Sequence, residues 1–318
     1  MAKKKELKIL TIFKILLNGI KLYIQNLDKF LAYMTFPVLG QIAGIALIFT
    51  VIHLYSANIE NLVAISPIFD NIPLMLILLL LFIAPGFMLF FAAFWKYMVA
   101  YGALNSMANN LNSGAKLEDL SIHNDTVTRR TPTFLGILLI LSVIGMFGFS
   151  LPFLFIILIL MIYLCLVFQI FVFEENLTVL EIFKKSFQMV KGNFAKAAIL
   201  MIFLFLLTYL LIPSIFVLAF DQLSLFDFLA KPINAFCQNL PLDDIQNSVQ
   251  TVLTAWNSVA NTSYDFVIDI DKLSRDLAIQ ITSLGIVGYL LPLRSICCTI
   301  LYKDLEIKKL KNKKLEEL

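Results

Sequence analysis

The sequence predicts an all-α fold: a polytopic membrane helix bundle of about six transmembrane helices, flanked by interfacial amphipathic helices. Three observations predict it. Of 318 residues, 60% are hydrophobic and 15% charged, with a mean hydropathy of +0.87, whereas soluble domains average roughly 45–50% apolar and 25% charged. Long apolar stretches recur from Phe30 to Leu301, and the basic residues are sorted between the segments that join them. The same figures exclude an ordinary soluble globule, a disordered chain and a collagen. Four cysteines in a chain of this length make no disulfide framework, and a net charge of +3 gives no reason to expect nucleic acid.

Residues 1–29 read as a cytoplasmic amphipathic helix. Lys3, Lys4 and Lys5 precede an apolar stretch as in a secretory signal, but lysines run through that stretch and no small-residue cleavage site follows. Leu10, Phe13, Leu17, Ile20 and Ile24 fall on one helical face, with Lys4 and Lys8 opposite and Lys14 and Lys21 at its flank. Those lysines favour the anionic inner leaflet.

The membrane domain covers 30–301. A helix crossing about 30 Å of hydrocarbon needs roughly 20 apolar residues, because each rises about 1.5 Å and every backbone polar group must be satisfied within the segment. Spans are expected at 30–53, 73–95, 133–149, 151–173, 197–220 and 279–301. Residues 134–173 as one helix would run about 60 Å, twice the hydrocarbon thickness. A tight hairpin turning at Gly148-Phe149-Ser150-Leu151-Pro152 is the simpler reading, with Pro152 in the first turn of the returning helix.

Orientation follows from lysine and arginine placement. The segments 1–29, 96–132, 174–196 and 302–318 hold seven, four, four and six basic residues. The other side keeps Lys231, Lys272 and Arg275, while 54–72 has no basic residue and the outer segment 221–278 carries eight aspartates. Both termini are therefore expected in the cytoplasm, with 302–318 as a basic tail.

Two of these connections have structure of their own. Thr178-Val179-Leu180-Glu181 is a capping-box pattern, opening a second amphipathic helix to Lys191 with the stripe Val179, Ile182, Phe183, Phe187 and Val190. It echoes the N-terminal helix in its Phe-Lys and Val/Ile-Lys pairs, as a duplication or two similar lysine-rich helices would. On the outer side Ile245, Val249, Val252, Leu253, Trp256 and Val259 keep helical spacing, while Lys231-Pro232 and Leu240-Pro241 read as turns.

Catalytic motifs are missing. There is no HExxH, GxGxxG, P-loop, GxSxG or Cys-x-x-Cys. His53 and His123 read as surface histidines, Cys165, Cys297 and Cys298 as span residues that pack like small apolar groups, and Cys237 as a lone outer cysteine. No catalytic residue, metal ligand or cofactor site is assigned. Arg294 is the ionisable residue well inside a span, two residues after Pro292. Its readings are snorkelling toward the cytoplasm, a buried pair with Glu174 or Glu175, or contact with an anionic lipid head group. Prolines at 37, 85 and 213 also lie inside spans, which keeps open a small-solute or lipid transporter built on kinked helices around Arg294.

The run Phe171-Val172-Phe173-Glu174-Glu175-Asn176-Leu177-Thr178-Val179-Leu180-Glu181, with Lys185-Ser186-Phe187 and Lys191-Gly192-Asn193-Phe194, resembles the bacterial membrane-domain superfamily typified by the glycerophosphoryl diester phosphodiesterase membrane domain. The ending Leu301-Tyr302-Lys303-Asp304-Leu305 is similar to that group's. The resemblance implies a six-span bundle in the bacterial cytoplasmic (inner) membrane. It implies no hydrolase activity, because in the namesake enzymes the chemistry belongs to a separate soluble barrel, and residues 303–318 do not contain one. The expected function is that of a non-enzymatic multi-pass component contacting membrane lipids of the anionic inner leaflet, or a membrane protein partner. Arg294, Glu174, Glu175, Tyr302 and Asp304 form the candidate polar cluster at the inner ends of the spans.

Overall fold

The computed structural model describes residues 10–65, 71–117, 120–147, 151–238, 242–260, 263, 265 and 267–316, among which there is no strand. In chain order the helices are α1 (Ile12–Gln25), α2 (Leu27–Ala57), α3 (Ile59–Ile65), α4 (Ile72–Asn112), α5 (Ser121–Thr128), α6 (Thr131–Phe147), α7 (Leu151–Tyr163) and α8 (Val167–Phe173). Then come α9 (Val179–Lys191), α10 (Phe194–Phe205), a π-helical segment (Leu206–Leu211), α11 (Ile212–Gln222), α12 (Leu225–Cys237), α13 (Leu242–Ala260), α14 (Ile270–Tyr289) and α15 (Leu291–Glu316).

Among the described residues, five helical stretches are long and apolar enough to cross a membrane, and six if the pair α5–α6, bent by 76°, makes one more. Their surfaces give the physical reason to place them in lipid. Only 22% of the most apolar window of α2 and 17% of that of α4 is buried, leaving Leu76, Leu80, Met88 and Phe91 turned outward. Apolar faces of this extent are stable against hydrocarbon, not water. The fold is that of a multi-pass α-helical membrane protein.

Several expected boundaries move. The helix that carries the second span does not stop at Trp95: α4 continues to Asn112 and is about 60 Å long. Val99, Ala100, Ala103, Leu104 and Met107 on that extension are buried, so residues assigned to an inner loop form core. The fourth span breaks at 164–166 between α7 and α8, the fifth contains the π segment, and the sixth begins at Ile270 and breaks at Leu290. Pro152 falls in the first turn of α7 as expected; the hairpin residues Gly148, Phe149 and Ser150 lie outside the described residues. Lys231-Pro232 is not a turn but lies inside α12. Pro232 frees the carbonyl of Phe228, and Phe228 is itself exposed, so no buried acceptor is left unpaired by it. Leu240-Pro241 lies outside the described residues. The amphipathic helix expected around Ile245–Val259 is present as α13, with Val252 and Trp256 exposed.

The chain divides into two compact units, one comprising Met1–Pro37, Trp95–Leu211 and Val287–Leu318, the other Val38–Phe94 and Ile212–Ile286. In the second, α2 and α4 cross where each has a glycine. A Cβ on Gly44 would lie 2.7 Å from the Phe90 nitrogen, and one on Gly86 2.7 Å from Ile48 Cγ1. The same unit holds an ion pair of Arg275 with Asp221 at 2.5 Å. It also has an open cleft of about 690 Å³ whose walls include Asp227, Lys231, Asn234, Asp271 and Lys272.

In the first unit α1 packs against α15 through Ile15, Gly19 and Tyr23. A Cβ on Gly19 would meet Cys297 Sγ at 2.2 Å, and the Tyr23 hydroxyl donates to the Tyr289 carbonyl at 3.0 Å. The opposite face of α1 leaves Phe13, Leu17 and Ile24 exposed beside Lys14 and Lys21. That is the expected interfacial face; Lys4 and Lys8 lie outside the described residues.

Candidate functional site

The candidate cluster lies in the first unit, where α8, α9, α10 and α15 bring their polar ends together. α9 starts where its capping box requires: the amide and hydroxyl of Thr178 both donate to Glu181 Oε2, each at 2.8 Å. Those donors hold the Glu181 carboxyl below the usual glutamate range. The buried face of α9, however, is Ile182, Ser186, Met189 and Val190, rotated from the expected stripe. Ser186 Oγ donates to the Tyr163 carbonyl at 2.8 Å, at the end of α7. Phe187 lies outside that face and stacks on the Tyr163 ring, centroids 4.3 Å apart.

This rotation sets Lys185 toward α8. Its ammonium pairs with Glu174 Oε2, while the Tyr302 hydroxyl donates to Glu174 Oε1 at 2.9 Å. Arg130 holds the same corner from below α6: its guanidinium donates to the carbonyls of Phe171 (2.5 Å), Glu174 (3.3 Å) and Leu177 (3.4 Å), and lies 4.6 Å from the Phe171 ring centroid. Glu175 is exposed and interacts only through the field of Arg130 among the contacts described.

A second node closes on Asp304. Its Oδ1 accepts from the Leu10 amide and its Oδ2 from Lys196 Nζ, both at 2.6 Å. Lys196 also donates to the Leu10 carbonyl at 2.6 Å. The Asp304 side chain is 2% exposed and that of Lys196 18%. Lys308 Nζ donates to Asn193 Oδ1 at 2.5 Å. Together these contacts tie the start of the described chain, the α9–α10 turn and α15 into one joint.

Arg294 does not join it. The pair with Glu174 or Glu175 is not formed among the described residues: the Glu174 carboxylate meets Lys185 and Tyr302 instead. Snorkelling toward Tyr302 is not seen either: helical side chains lean toward the N-terminus, and Arg294 Nη2 donates backward to the Val287 carbonyl at 3.2 Å. Its guanidinium lies 4.6 Å from the Tyr209 ring centroid. Its Nε is buried without an acceptor. Of the five residues proposed from sequence, Glu174 and Tyr302 therefore meet in one node and Asp304 anchors a second, while Glu175 and Arg294 stand apart.

Sequence reasoning missed the interior of this unit. Gln169 Nε2 donates to Asn105 Oδ1 at 2.9 Å and Thr299 reaches the same oxygen at 3.4 Å, all three side chains being buried. Gln169 and Thr299, polar inside apolar runs, were the available signal. His123 is not a surface residue: it is buried, with Nδ1 2.9 Å from Ser106 Oγ, because the extension of α4 supplies a wall that an inner loop would not. Among the described residues no group of three or more His, Cys, Asp or Glu stands ready for a metal ion.

Fold and site thus define a class, a multi-pass helical membrane protein whose polar ends are fastened by ion pairs. Comparison with family models, curated proteins and solved structures finds no match to this chain.

Proposed function

We propose that this chain is a non-enzymatic multi-pass component of the bacterial cytoplasmic (inner) membrane, with both termini cytoplasmic, acting through lipid contacts of its basic inner face. The observation that carries this reading is α1. It exposes Phe13, Leu17 and Ile24 alongside Lys14 and Lys21, the combination by which a helix lies in an anionic interface. Lys184 and Lys191 are likewise exposed on α9. The likeness of residues 171–194 and 301–305 to the phosphodiesterase membrane-domain superfamily is a second support. A membrane protein partner for the acidic outer segment fits the same reading.

The test is lipid selection. In nanodiscs of mixed phosphatidylglycerol and phosphatidylcholine, the wild type is expected to enrich the anionic lipid around itself. A Lys14→Gln, Lys21→Gln, Lys184→Gln, Lys191→Gln variant is expected to lose that enrichment, since each surface lysine contributes about 1 kcal/mol. Equal lipid composition around both proteins contradicts the reading.

A transporter is the second reading, favoured by the helix interruptions at 164–166, 206–211 and Leu290 in the unit that contains Arg294. Solute or lipid flux in reconstituted vesicles that falls on Arg294→Ala supports it, and flux unaffected by the substitution removes it.

A further inference from the structure

Among the described residues Arg294 is a cation without a counter-charge. Neither carboxylate of the polar joint reaches it, and no ion pair to it occurs among the described residues. Its neighbours carry no negative charge: a carbonyl at 3.2 Å and the face of Tyr209. Nε, a donor fixed in the guanidinium plane, is buried and points at no acceptor. A charge held inside an apolar unit is costly unless something negative completes it, and an unmet donor adds to that cost.

The surroundings say from which side completion comes. Tyr209 is 42% exposed, and its neighbours Phe205, Leu206, Leu210 and Leu211 are exposed too. The guanidinium is thus one aromatic ring away from an apolar outer face. Tyr209 sits in the π-helical segment Leu206–Leu211, where the backbone departs from α geometry as it often does at functional sites. A dissolved ion has no route across such a face, whereas an amphiphile already in the membrane meets it directly.

We propose that Arg294 is a binding site for the acidic head group, phosphate or carboxylate, of a membrane amphiphile that enters past Tyr209 and accepts hydrogen bonds from the guanidinium, including Nε. The inference rests on the reading of the chain as a lipid-contacting protein and goes beyond it by assigning one site and one chemistry.

Native mass spectrometry of the full chain in detergent tests it, with phosphatidylglycerol, phosphatidylcholine and inorganic phosphate as probes. The wild type is expected to retain one phosphatidylglycerol after delipidation and to prefer it over phosphatidylcholine. Arg294→Gln is expected to weaken that retention about tenfold, the loss of roughly one charge-assisted hydrogen bond. Tyr209→Trp changes a partly exposed position, so it is safe for folding, and its larger ring should weaken retention comparably by obstructing entry. Retention unchanged in both variants overturns the proposal. Displacement of the lipid by inorganic phosphate overturns the assignment to an amphiphile. The lysine variant in nanodiscs reports separately: if it abolishes bulk enrichment while Arg294→Gln changes nothing, the site falls and the functional reading stands. If Arg294→Gln loses its lipid while the lysine variant keeps full enrichment, the functional reading falls and the site stands.

Discussion

Asp304 is the residue on which the polar joint turns. It holds the Leu10 backbone and the Lys196 ammonium at once, and both partners are largely shielded from water. Asp304→Asn leaves Lys196 without its counter-charge, so a loss of about 3 kcal/mol in stability is expected, with faster amide exchange at Leu10 as its local signature. If Lys196→Met in the same chain does not recover part of that loss, the pair is not the cause. Glu181 gives a pH prediction. Its carboxyl is held low by the amide and hydroxyl of Thr178. The cap therefore contributes fully above the ordinary glutamate value of about 4.3 and is lost as pH falls through the lower folded value. Exchange of the Thr178 amide should quicken across that acidic window in the wild type and show no such step in Glu181→Gln. At this scale the capping box was legible, because its four residues are adjacent in sequence. The partners of Glu174 and Asp304 were not, since Lys185, Lys196 and Leu10 meet them only through the packing of separate helices.

Helices carry the next lesson. Long apolar runs predict six spans, and among the described residues five helices, or six with the bent pair, are long and apolar enough to cross a membrane; the breaks at 164–166 and 206–211 escaped them, because leucine suits α and π geometry alike and residues 164–166 contain neither glycine nor proline. The rotation of α9 was hidden for a similar reason. A serine at 186 reads as polar, but its hydroxyl donates to the Tyr163 carbonyl, which makes the serine face the buried one. Close packing of α2 on α4 depends on Gly44 and Gly86, where backbones approach too near for side chains. Gly44→Ala would place a methyl carbon against the Phe90 backbone, so a destabilisation of about 1–3 kcal/mol is expected, read as a lowered melting temperature in detergent. Gly192→Ala, which meets nothing within 4 Å, serves as the control at an open site.

For the whole molecule, charge placement is the organising fact. Lysines and arginines concentrate in residues 1–29, 96–132, 174–196 and 302–318, and several are used structurally: Arg130, Lys185 and Lys196 fasten the first unit. Basic residues on which the proposed orientation rests thus also hold the helix ends. Arg294 was legible as the exception from sequence, while its lack of a carboxylate partner required the structure. The account rests on a chain that crosses the membrane with its basic segments on one side. Single cysteines in a cysteine-free background, labelled in sealed cells with a membrane-impermeant maleimide, test this most directly. Ser258→Cys on α13, which is exposed, is expected to react, and Leu17→Cys on α1 and Glu306→Cys on α15 only after the membrane is opened. Labelling of Leu17→Cys or Glu306→Cys in sealed cells, with Ser258→Cys protected, would contradict it.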